Sequence, residues 1–67
     1  MTRETLDKLP ENVRNEIERL RKDYKHEELY NRQDAARARL AGYVKGLQDA
    51  GLITERERMF LFSYGTV

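Results

Sequence analysis

The chain has no cysteine and no tryptophan, one proline, one histidine and only two phenylalanines in 67 residues. Without cysteine it has neither a disulfide staple nor a thiolate metal site, a usage that fits a reducing compartment, so a cytoplasmic location is expected. His26 has Asp23 and Glu27 within one turn but no second soft ligand anywhere in the sequence, and no metal or cofactor is expected. No apolar run approaches the roughly 20 residues of a membrane span. The opening "MTRETLDKLPENV" lacks the apolar stretch of a secretion signal, so no membrane association is expected.

A dominant charge is also missing. Thirteen basic and twelve acidic side chains leave a formal +1, which argues against the strongly basic footprint of a dedicated nucleic-acid binder. Nothing in the sequence pairs a nucleophile with a base: Ser63 has no evident partner, and the acids lie along helix faces where Lys and Arg answer them. Gly42 and Gly46 fall inside a helical stretch and lack the Lys-Ser/Thr ending of a phosphate-binding loop. The expectation is a protein that is not an enzyme and takes no small-molecule substrate.

What the sequence does have is helical periodicity. Val13, Ile17, Leu20 and Tyr24 recur at spacings of four, three and four, placing them on one face of a first helix that starts at Pro10, after a short turn over residues 2–8. Glu18 with Lys22 and Arg19 with Asp23 are i,i+4 pairs on its outer side. Leu29 falls out of phase, which predicts a turn at Tyr30 and Asn31, with Asn31 capping a second helix over residues 31–50. Ala36, Leu40, Tyr43, Val44 and Leu47 form its apolar face. Gly51 stands where helices end in a left-handed residue, with Leu52 folding back over the last turn. "TERE" is a full capping box, so a third helix begins at Glu55 and fades near Tyr64 or Gly65, with Ile53 stapling against Arg58 or Met59. The expected architecture is one all-α domain over residues 1–67: a long antiparallel helix pair plus a short C-terminal third helix. A chain this short buries only about 60% of the surface its unfolded form exposes, so oligomerisation or a partner is the remaining source of stability.

Met59, Phe60, Leu61 and Phe62 are consecutive, so on a helix they point in nearly every direction, more than one groove between two helices can cover. Partner-binding residues are therefore expected at Met59, Phe60, Phe62 and Tyr64, with Phe62 as the outward aromatic, and a homodimer or another protein as the occupant. Arg32, Arg39 and Arg56 suggest a second surface for an anionic partner, nucleic acid included. With six basic and four acidic residues, 31–67 carries +2, against −1 for residues 1–30 with seven and eight. Ala35, Ala38, Gly42 and Gly46 line the side of the second helix opposite Leu40 and Leu47. Two interior glycines cost about 1 kcal/mol each relative to Ala, a cost that a tight packing contact with the third helix or a symmetry mate would explain.

Three resemblances accompany these readings. "GLQDAGLITERERMFLF" resembles the step from recognition helix to wing strand in winged-helix DNA-binding domains, which would make the apolar tail a strand. However, no wing turn follows, and "MFLF" does not alternate. The same residues are similar to the short C-terminal helical hairpin found at the ends of many bacterial proteins, a likeness carried by capping chemistry and implying no activity. "NRQDAARARLAGYVKGLQDAGLITERERMFLFSYGTV" looks like short helical proteins of bacterial conjugative elements and phages. That resemblance implies a small accessory or host-modulating protein, anti-CRISPR inhibitors among the examples, acting by binding another macromolecule.

Overall fold

A computed structural model describes residues 2–26 and 30–66, leaving aside the side chains of Thr2, Tyr30, Asn31 and Arg32. The described residues hold four helices and no strand: α1 (Thr2–Asp7), α2 (Glu11–His26), α3 (Tyr30–Asp49) and α4 (Glu55–Gly65). The all-α class holds, and the strand suggested for the apolar tail is replaced by α4.

Three expected boundaries shift. The segment expected as a turn over residues 2–8 is the helix α1. Leu6 and Leu9 alone show no period, and a six-residue helix is unstable unless it docks on something. It docks on α4. Pro10 precedes the first residue of α2: its carbonyl accepts the N–H groups of Val13 and Arg14, each at 3.0 Å, so it occupies the capping position rather than the first helical one. Tyr30 opens α3 and Asn31 lies inside it, so neither forms the turn and Asn31 is no cap. α2 ends at His26 and α3 begins at Tyr30, and residues 27–29 lie outside the described residues.

The helical phases are as the sequence spacing implies. On α2, Val13, Ile17 and Leu20 are buried, and on α3, Ala36, Leu40, Val44 and Leu47. Leu9, Ile53 and Leu61 complete the core, with Leu6, Tyr43, Phe62 and Tyr64 packed against it half-buried. Burying one such aliphatic side chain is worth about 1.5–3 kcal/mol.

The ends of α3 and α4 are set by local chemistry. Gly51, at φ +79°, is the only positive-φ residue among those described. The Gly51 N–H donates to the Gln48 carbonyl at 2.9 Å and the Leu52 N–H to the Leu47 carbonyl at 3.0 Å, the paired bonds of a Schellman cap. The Leu52 side chain nevertheless stays 47% exposed, and Ile53 enters the core in its place. Thr54 caps α4: its hydroxyl accepts from the Glu57 N–H at 3.1 Å, and the Glu57 carboxylate accepts from the Thr54 N–H at 2.8 Å. Glu57 also pairs with Lys8 at the end of α1, and Lys8 with the Thr54 N–H holds its carboxyl below the usual carboxylate range.

Cross-helix contacts fix the directions. Leu40 meets Gly65, and the Arg58 Nε donates to the Gln48 carboxamide at 2.6 Å, so α4 runs antiparallel to α3. Lys8, just before α2, lies at the start of α4, and Arg21 lies at its end, so α2 runs parallel to α4 and antiparallel to α3. α4 is thus enclosed by α1, α2 and α3 together.

Candidate functional site: the outward face of the last helix

Leu61 is fully buried, and Phe62, expected to be the outward aromatic, packs half-buried against the core. Phe60 instead takes the outer flank. It lines a shallow concavity of about 460 Å³ with Glu55, Arg56, Met59 and Ser63. Met59 is 59% exposed, the most exposed large apolar side chain described. At 100° per residue, residues 55, 56, 59, 60 and 63 form one stripe, and Leu61 and Gly65 lie on the opposite side. The face that α4 leaves open is therefore an apolar centre, Met59 and Phe60, between a Glu55–Arg56 rim and a serine.

Tyr64, the fourth expected partner contact, is engaged within the chain. Its hydroxyl donates to the Glu18 carboxylate, and its carbonyl accepts from the Arg21 Nε at 3.1 Å. The Arg21 guanidinium lies over its ring, 4.6 Å from the centroid. Donation to Glu18, aided by burial, raises the Tyr64 phenol above its ordinary pKa. Glu18 thus turns to Tyr64, and no Glu18–Lys22 ion pair is found among the described residues, whereas Arg19 pairs as expected with Asp23 at 3.1 Å and also with Glu16 at 2.6 Å. Beside this cluster, Arg3, Leu6, Asp7, Arg14, Glu18 and Tyr64 line an open groove of about 500 Å³ between α1, α2 and the end of α4.

The arginine surface is not assembled among the described residues. The Arg32 side chain lies outside them. Arg39 and Arg56 are both exposed, but the pairing of Leu40 with Gly65 and of Gln48 with Arg58 puts them at opposite ends of the α3–α4 hairpin. At 1.5 Å per residue their backbones are roughly 15 Å apart along the hairpin axis. Arg37 pairs with Asp34 at 3.6 Å. The small-residue side of α3 is also not where it was expected to be useful within the chain. Ala35, Ala38, Gly42 and Gly46 all face solvent, and a Cβ on either glycine would meet no atom within 4 Å. α4 packs on the other side of α3, and the glycine that permits a close approach is Gly65.

No group of three or more His, Cys, Asp or Glu side chains suited to a metal ion occurs among the described residues, and no described helix is long and apolar enough to cross a membrane. Comparison with protein-family models, curated proteins and solved structures finds no match.

Proposed function

We propose that this chain is a small non-enzymatic binding module that docks on a protein surface, a second copy of itself being the first candidate, through the outward face of α4. The observation that carries the reading is the exposure of Met59 beside Phe60 in the middle of that face. A chain with 37% charged residues has ample polar side chains for solvent-facing positions, yet the most exposed large apolar group among its described residues stands in the middle of a stripe. Methionine there suits recognition, because its flexible, polarisable side chain adapts to irregular apolar surfaces. Glu55, Arg56 and Ser63 supply the polar rim that such contacts usually have. The whole-chain likeness to short proteins of conjugative elements and phages favours a host macromolecule as the alternative occupant, met in the cytoplasm, where a cysteine-free chain is at home.

The test is sedimentation equilibrium of the chain and of Met59→Lys at about 100 μM, a concentration that reveals a dimer of Kd near 10 μM, about 7 kcal/mol. Association lost in Met59→Lys, with the helical circular-dichroism signal intact, is the expected result. A strict monomer in both, with no host protein retained by the wild type and released by the Met59 change, overturns the reading.

A further inference from the structure

We draw no further inference here: the strongest candidate, the open groove between α1, α2 and the last turn of α4, sets Arg3 and Arg14 against Asp7 and Glu18 so that its charges cancel, and nothing in the structure shows what covers its apolar floor.

Discussion

The same substitution, glycine to alanine, should have opposite signs at different places on this chain. At Gly65 a Cβ would lie 2.3 Å from the Leu40 Cδ2, 3.2 Å from Cδ1 and 3.3 Å from Cγ. Carbon atoms pack at about 3.5–4.0 Å, so the leucine must retreat by at least about 1 Å. Leu40 is fully buried, so its side chain must move within the packed core. Overpacking of this kind costs about 1–3 kcal/mol. Alanine's advantage over glycine in a helix, at most about 1 kcal/mol, is reduced at the last residue of α4. Gly65→Ala should therefore destabilise by about 1–2 kcal/mol, lowering the melting temperature by about 5–15 °C in a domain this small. At Gly42 and Gly46 an added Cβ meets nothing, so only the helix-propensity gain remains, about 1 kcal/mol and 4–8 °C each. Thermal melts followed by far-ultraviolet circular dichroism measure all three. A neutral or stabilising Gly65→Ala would refute the packing of α4 against Leu40. A destabilising Gly46→Ala, above all one that depends on protein concentration, would show that another molecule covers the outer face of α3.

Three further outcomes are expected. Thr54→Ala should lower stability in urea by about 1 kcal/mol, because N-terminal amides of α4 lose their acceptor; no change would mean that Lys8 and Glu57 hold the junction without the cap. Ile17→Ala and Leu40→Ala should each cost about 2–5 kcal/mol, enough to unfold much of so small a domain at room temperature, and an unaltered melt would show the core positions to be misassigned. Tyr64→Phe removes the hydroxyl donated to Glu18 and should cost about 0.5–1.5 kcal/mol at neutral pH. Because Tyr64 binds its proton more tightly folded than unfolded, its contribution is full below the unfolded phenol pKa and is lost as pH rises through the folded one. Alkaline melts of the wild type should therefore fall more steeply than those of Tyr64→Phe, which keeps the contribution of Tyr43, raised mainly by burial.

Where the sequence could be read, a short-range physical rule was sufficient. The stripes on α2 and α3, the left-handed Gly51 and the Thr54–Glu57 box each depend on residues within one or two turns of each other. What could not be read depended on contacts distant in sequence. α1 forms because Leu6, Leu9 and Lys8 find α4 nearly fifty residues later, through the core and the Lys8–Glu57 pair. Nothing local in "TRETLD" announces that. The glycines followed the same division. Gly51 was legible from its place after a helix, but the approach to Leu40 that demands Gly65 exists only once α3 and α4 have packed.

The candidate site was half legible for a related reason. Consecutive Met59, Phe60, Leu61 and Phe62 guarantee that some apolar surface on α4 turns outward if two helices enclose it, but the sequence cannot say which flank. The two phenylalanines sit about 200° apart around the helix, so only one of them can share the exposed stripe with Met59. Phe62 packs against the core, and the opening lies at Phe60 and Met59. Tyr64 changes role because its position at the end of α4 brings it to α2, where its hydroxyl donates to Glu18 and the Arg21 guanidinium lies over its ring and donates to its carbonyl. The tail thus exposes less apolar surface than its composition implies. α1, α2 and α3 together pack against it, and what they leave open is a shallow concavity with Met59 exposed in it.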